Sequence, residues 1–167
     1  KFFIMSGKEL TDQEIRPANK RGSARLSAVQ ALYQMDLSGA SVKEIISEYE
    51  IMRIGQEVDG NTYLDADLGW FRGIVSGVVD LQKELDPKIN DALPADWPLS
   101  RIDILLRSVM RSGVFELMKR KDVPAKVVIN EYLDVANAFF EEDEPRLVNG
   151  VLNRIARELR EDEFQAK

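Results

Sequence analysis

The sequence predicts an all-α protein, a helical bundle of about six to seven helices in two packed subdomains. Apolar residues recur every three or four positions through most of the chain, which is typical of helices with one buried face. No segment shows the sustained alternation of apolar and polar residues that marks a half-buried strand. With 167 residues, of which 44% are hydrophobic, the chain is long enough to bury a core.

Three helices are predicted in the first half of the chain. The first covers roughly residues 23–37 and stops near Gly39, and the second covers roughly residues 42–51. We expect the third to end before Pro87, because proline disfavours helical backbone in the residue before it. The apolar face of this third helix consists of Leu64, Leu68, Phe71, Val75, Val78 and Leu85.

A row of glycines, Gly69, Gly73 and Gly77, is spaced by four along the third predicted helix. A row of this kind lets another backbone approach closely. A membrane-spanning alternative fails, because the apolar run is short and contains Arg72. The row therefore predicts tight packing between helices.

Prolines indicate how the chain is divided. Pro94 and Pro98 exclude a continuous helix between them, so they mark a boundary between two subdomains. The predicted organisation is a flexible arm (1–19), an N-terminal helical subdomain (20–92), a C-terminal helical subdomain (93–160) and a tail (161–167). Met5 is a plausible true start, because the segment before it lacks a signal-peptide core.

The C-terminal subdomain should contain three further long helices. Ser100, followed by Asp103, resembles a capping box for the first of them, and Pro124 suits the first turn of the second. Asp143 is a candidate cap for the third. The apolar stripe of this last helix consists of Leu147, Val148, Val151, Leu152, Ile155, Ala156 and Leu159.

Composition and charge exclude several functions. The chain has no Cys and no His, which removes cysteine nucleophiles, histidine general bases and the usual zinc sites. Its net charge of −6 disfavours indiscriminate binding to a polyanion. The acidic run at residues 141–144 is better explained by the preference of helix N-termini for acids than by a metal site. We therefore predict no cofactor and no metal.

A short basic segment stands out against this acidic background. Arg16, Lys20, Arg21 and Arg25 fall within residues 16–26, which contain no acid. Arginines contact phosphates or stack on unpaired bases, whereas a solvated basic tail is about as probable from these residues alone. The pattern suits a short, local contact with nucleic acid.

Three words of the sequence resemble the NusB family of bacterial transcription antitermination factors. They are KRGSARLSAVQALYQMDLS at 20–38, LLRSVMRSGVFELMKR at 105–120, and a signature end formed by DVPAKVVINEYLDVA at 122–136 and LVNGVLNRIA at 147–156. The resemblance implies a cytoplasmic, non-catalytic factor that pairs with NusE and binds single-stranded boxA-type leader RNA. Such a factor joins an RNA polymerase complex on ribosomal RNA operons.

The resemblance also implies roles for particular residues. The basic segment matches the family's arginine-rich RNA-contacting segment, so Arg25→Glu is expected to weaken RNA binding without disturbing the fold. Asp143 matches an RNA-proximal aspartate, Arg146 offers a phosphate contact, and Leu147 stands where the family often has an aromatic residue. Tyr33 matches a NusE contact.

The acidic side of the NusE contact departs from the family pattern. Leu106 stands at the position where the family has an acid, and Asp103 or Glu116 are the candidates to compensate for it. Three alternatives to an antitermination factor stay open: the RNA-binding module of an rRNA methyltransferase, a purely protein-binding scaffold, and a metal-dependent carboxylate hydrolase. The sequence also leaves a homodimer open, because an apolar stripe that contacts a second copy of the chain has the same pattern as one that contacts the core.

Overall fold

The computed structural model describes residues 3–5, 8–10, 20–55, 65–141 and 143–165. These residues form six α-helices, which confirms the predicted all-α class. Two 3₁₀ turns, at Leu99–Arg101 and Glu161–Phe164, flank the last three helices. The helices are α1 (Lys20–Ser38), α2 (Val42–Gly55), α3 (Asp65–Ala92), α4 (Ile104–Lys119), α5 (Ala125–Phe139) and α6 (Asp143–Leu159).

Two short strands that the sequence does not predict precede the helices. Strand β1 (Phe3–Met5) pairs antiparallel with β2 (Lys8–Leu10), with Ile4 opposite Glu9. Strand β2 lies beside α5. Both strands fall within the segment predicted as an arm, whose remaining residues, including Arg16, lie outside the described residues.

Helix α4 is the centre of the bundle. It packs against α1, α3, α5 and α6, and every residue from Leu105 to Leu117 is buried except Arg107. Two of these buried residues are charged and bind the neighbouring helices. Arg111 donates to both carboxylate oxygens of Asp86 on α3, at 2.7 and 2.9 Å, and Glu116 accepts from Arg25 of α1.

The predicted apolar faces of α3 and α6 are confirmed where the structure describes them. On α3, Leu64 lies outside the described residues and Leu68 is half-buried, while the other members of the predicted face are buried. On α6, the stripe is buried through its middle and half-buried at its two ends, Leu147 and Leu159. Burial of these stripes is the main force that holds both helices to the bundle.

Two predicted helix ends were wrong. Helix α3 continues through Pro87 to Ala92, because the fully buried Leu85 and Ile89 hold this turn against a cost of roughly 3 kcal/mol for an internal proline. The cap of α4 is Asp103 and not Ser100: its carboxylate accepts from the backbone N–H of Leu105 at 2.8 Å. Ser100 lies in the preceding 3₁₀ turn.

The glycine row behaves as predicted at one position of three. A Cβ at Gly77 would lie 2.1 Å from Cε1 of Phe115, whereas nothing lies within 4 Å of a Cβ at Gly69 or Gly73. Gly77 therefore permits the close approach of α3 and α4. None of the described helices is long and apolar enough to cross a membrane.

Candidate nucleic-acid interface

The basic beginning of α1 is divided between the surface and the core. Lys20 and Arg21 are exposed, but Arg25 is 2% exposed. Small side chains in this turn, such as Ser23 and Ala24, let α1 pack closely on its neighbours, and both are buried. Arg21 and Lys20 are thus available to a ligand, and Arg25 is not.

Arg25 is part of a buried ion-pair network that joins α1, α4 and α5. Its guanidinium donates to both carboxylate oxygens of Glu116, at 2.8 and 2.9 Å, and to Oε1 of Glu131 at 2.9 Å. The Tyr132 hydroxyl also donates to Glu116. Because Glu116 and Tyr132 are fully buried, the centre of the network is shielded from solvent, while the side chain of Glu131 at its edge is 21% exposed.

Electrostatics in this network favour a charged arginine and a neutral tyrosine. Burial by itself lowers the pKa of Arg25, but the hydrogen bond and charge of Glu116 outweigh it and raise the pKa above its ordinary value. Burial, together with the charge of Glu116, raises the pKa of Tyr132 well above its ordinary value. The expectation that Arg25→Glu leaves the fold undisturbed therefore does not fit the structure, because a carboxylate at residue 25 would face the carboxylates of Glu116 and Glu131.

A tryptophan organises the exposed cations next to this network. The guanidinium carbons of Arg21 and Arg120 lie 3.9 and 4.1 Å from the centroid of the Trp70 ring, which is the stacking distance of a cation–π contact. Trp70 is buried, and its Nε1 has no hydrogen-bond partner among the described residues. The ring therefore serves as an apolar platform for two arginines, one from α1 and one from the residue that follows α4.

Asp122 completes this group, which we call the Trp70 cluster (Arg21, Trp70, Arg120 and Asp122). Its carboxylate accepts from Nε of Arg120 at 3.1 Å and from Nη2 at 2.9 Å. This hydrogen bonding lowers the pKa of Asp122, and the charge of Arg21 contributes in the same direction. One exposed carboxylate thus faces two arginines.

The backbone under Arg120 is held from the far end of α6. Arg160 is 3% exposed and donates to the carbonyl oxygens of Glu116, Leu117, Arg120 and Val123, at 2.7 to 3.2 Å. The carbonyls of Glu116 and Arg120 also accept from backbone N–H groups, at 2.8 and 3.0 Å, whereas those of Leu117 and Val123 lie at the end of α4 and in the turn after it, where the helix supplies no partner. Arg160 therefore fixes the segment that presents Arg120.

The carboxylate of Glu163 extends this clamp to the beginning of α5. It accepts from Nη1 of Arg160 at 2.8 Å and from the backbone N–H of Ala125 at 2.8 Å. The preceding Pro124 supplies no side-chain cap, so Glu163 takes that role from a distant part of the sequence. Hydrogen bonding to Arg160 and Ala125 lowers the pKa of Glu163 below its ordinary value of 4.5.

The other predicted RNA contacts lie at the beginning of α6. Asp143 and Arg146 are exposed, and Leu147 is half-buried against the core. Helix α6 has 17 residues and is therefore about 25 Å long, with its other end beside Arg120. The structure thus places the predicted contacts in two groups near opposite ends of α6.

The predicted partner contacts differ in exposure. Tyr33 is half-buried, and Asp103 is exposed while its carboxylate caps α4. Leu106 is 2% exposed and Glu116 is fully buried, so neither presents a surface to another protein. Of the two residues considered as acidic substitutes, Asp103 is the accessible one.

Sequence reasoning missed Trp70 and Arg120. Trp70 precedes Phe71 of the predicted apolar face, so its aromatic ring looks like an ordinary core residue, and Arg120 looks like a solvated helix end. A signal for the buried role of Arg25 was available. Ala24, Ala28 and Leu32 are spaced by four along α1, and an arginine beside an apolar stripe of this kind needs a buried acidic partner.

Comparison with known proteins agrees with the fold and the sequence words. The model of the NusB family matches residues 22–157. The transcription antitermination protein NusB of Agrobacterium fabrum is 56% identical over 157 residues, which cover 94% of this chain and 95% of that protein. The protein of the same name from Brucella anthropi is 62% identical over 141 residues, 84% of each chain.

Solved structures show the same architecture. T. maritima NusB superposes with a TM-score of 0.73 at 27% identity, covering 90% of this chain and 99% of that one. A crystal structure of antitermination factors NusB and NusE in complex with dsRNA contains a chain with a TM-score of 0.68 at 25% identity, covering 83% and 97%. On the family match and the identity to these relatives, the chain belongs to the NusB family of transcription antitermination proteins.

Proposed function

We propose that this protein binds a short single-stranded RNA of the boxA type together with NusE, and so joins an antitermination complex on ribosomal RNA operons. The observation that carries the proposal is the exposed pair Lys20 and Arg21 at the beginning of α1, with Arg21 stacked on Trp70. Relatives named transcription antitermination proteins support the role in antitermination, and a related complex of NusB and NusE with dsRNA supports the pairing with NusE and the binding of RNA.

The protein is proposed to act by assembling a complex with NusE and RNA, and this requires no catalysed reaction. Arg21 and Lys20 bind phosphates through charge-assisted hydrogen bonds, and Arg16, in the segment before α1, adds a further cation. Because the chain carries a net charge of −6, electrostatic repulsion opposes the binding of RNA elsewhere on its surface. RNA is therefore bound locally.

A second contact is proposed at the beginning of α6. Arg146 binds a phosphate. Asp143 repels one, so it lowers the affinity for any RNA whose backbone passes close to its carboxylate. Leu147 offers an apolar edge in place of an aromatic ring, so we expect little base stacking there. An RNA that touches both groups spans roughly the 25 Å length of α6, which suits an extended single strand.

The protein partner is proposed to contact the side of α1 and α4 that presents Tyr33 and Asp103. Tyrosine is favoured in interfaces because its ring buries a large area while its hydroxyl stays hydrogen-bonded. Partner binding there would leave Lys20 and Arg21, at the other end of α1, open to RNA. NusE would then extend the RNA surface without covering it.

The test is fluorescence anisotropy of a labelled boxA-type RNA at two salt concentrations, with the protein alone and with purified NusE. Arg21→Gln should weaken binding by roughly tenfold, the value of one charge-assisted hydrogen bond. Lys88→Gln is the control, because Lys88 is exposed on the same helix as Trp70, 18 residues or about 27 Å further along. The absence of RNA binding even with NusE, or equal affinities for the two variants, would refute the proposal.

A further inference from the structure

The edge of the Arg120 guanidinium is occupied by a carboxylate of the same chain. Asp122 accepts from Nε and Nη2 of Arg120, the two-pronged arrangement in which arginine also binds a phosphate. The pair is accessible, since the side chains of Arg120 and Asp122 are 41% and 55% exposed. An incoming anion can therefore reach the same edge.

An ion pair of this exposure is weak enough to be exchanged. Exposed pairs typically contribute less than about 1 kcal/mol, whereas a phosphate brings more charge and more acceptor oxygens than a carboxylate. Asp122 precedes α5 in a turn of the backbone, so its side chain can rotate away without disturbing a helix. Exchange requires no change of fold.

Arg120 itself is prepared for a ligand. Its carbonyl is held by Arg160 at 3.0 Å, and its guanidinium lies on the Trp70 ring. The side chain has thus already lost much of the freedom that binding would otherwise remove. Arg21 lies on the same ring, so a phosphate on Arg120 would be continuous with the proposed RNA path along α1.

We propose that Arg120 is a phosphate-binding residue of the RNA surface and that Asp122 masks it until an RNA phosphate takes its place. This inference rests on the proposed RNA-binding function and adds a residue and a competitor to it. Weak or misplaced polyanions do not displace Asp122, because they gain one contact and lose the Arg120 ion pair. An RNA that also contacts Arg21 gains a phosphate contact at each arginine, and together these outweigh the lost ion pair.

The experiment measures affinity for the labelled boxA-type RNA, with NusE present, in full-length variants. Asp122→Asn keeps the size and the turn preference of the side chain but removes its charge, and should tighten binding by about two- to fivefold, the range of an exposed ion pair. Asp91→Asn is the matched control, on an exposed residue of α3 distant from Trp70. Arg120→Gln should weaken binding and reduce the salt slope by about 0.7, the value of one phosphate contact on a single strand.

A double variant separates masking from general electrostatics. If Asp122 acts through Arg120, Asp122→Asn gives no gain in the Arg120→Gln background. A gain that persists there, or an Asp122→Asn affinity equal to that of Asp91→Asn, overturns the inference. Changed emission from Trp70 on adding RNA to the otherwise tryptophan-free Trp97→Phe variant supports contact at the Trp70 cluster, and unchanged emission counts against it.

The outcomes also distinguish this inference from the function on which it rests. If unmodified protein with NusE binds no RNA, both fall together. If RNA binds and Arg21→Gln weakens it while both Asp122→Asn and Arg120→Gln leave it unchanged, the RNA-binding function stands and only the masked site is refuted.

Discussion

Replacing Arg25 by methionine should destabilise the protein severely although the residue lies in the basic segment. Methionine fills similar space, so the effect isolates the charge. Glu116, fully buried, would lose two hydrogen bonds of 2.8 and 2.9 Å and keep that from Tyr132. Breaking a buried pair in this way costs about 3–5 kcal/mol, a large share of the roughly 5–15 kcal/mol that stabilises a domain.

The assay is urea unfolding followed by far-UV circular dichroism, with the slope of each transition compared to verify two-state behaviour. Arg21→Met is the control, because it removes an exposed cation from the same helix and should cost less than about 1 kcal/mol. The double variant Arg25→Met/Glu116→Gln should recover part of the loss, because no unpaired buried charge remains. If Arg25→Met unfolds within 1 kcal/mol of the unmodified protein, the buried network does not stabilise the fold as argued.

Two further predictions concern packing and pH. Gly77→Ala should cost about 1–3 kcal/mol because its methyl group overlaps the Phe115 ring, whereas Gly73→Ala should stabilise α3 by up to about 1 kcal/mol; melting temperatures that move together would contradict this. Glu163 has a lowered pKa, so its contribution to stability is complete above the ordinary value of 4.5 and is lost as pH falls through the folded pKa. Glu163→Gln should therefore destabilise at pH 7 and lose that effect in acid, as measured by urea unfolding at each pH; an equal difference at both would count against the role assigned to the Arg160 hydrogen bond.

The fold was predictable because periodicity reports burial directly. Val75, Val78 and Leu85 fall on the face of α3 that the spacing identifies, and all three are buried. The end of α3 was not predictable from local rules, since the penalty at Pro87 is local while the burial of Ile89 that outweighs it depends on tertiary packing. Local propensity and long-range burial conflict there, and burial decides.

The candidate site was predictable only in part. Lys20 and Arg21 are exposed at the beginning of α1 as the basic segment suggests. The apolar spacing around Arg25 indicates a buried face, but its partner Glu116 lies 91 positions away, and no window of neighbouring residues identifies that partner. Arg120 was missed for a similar reason, because the Trp70 ring on which it stacks belongs to α3 and is distant in the sequence.

The clamp made by Arg160 affects the order in which the protein folds during its synthesis. Its hydrogen bonds reach back 37 to 44 residues to the carbonyls around the end of α4. During translation, which proceeds from the N-terminus, those carbonyls lack the Arg160 hydrogen bonds until α6 has been made and has docked. The segment that carries Arg120 therefore gains its last hydrogen bonds only after α6 docks, so a nascent chain with α1 already helical still lacks the clamp beneath the Trp70 cluster.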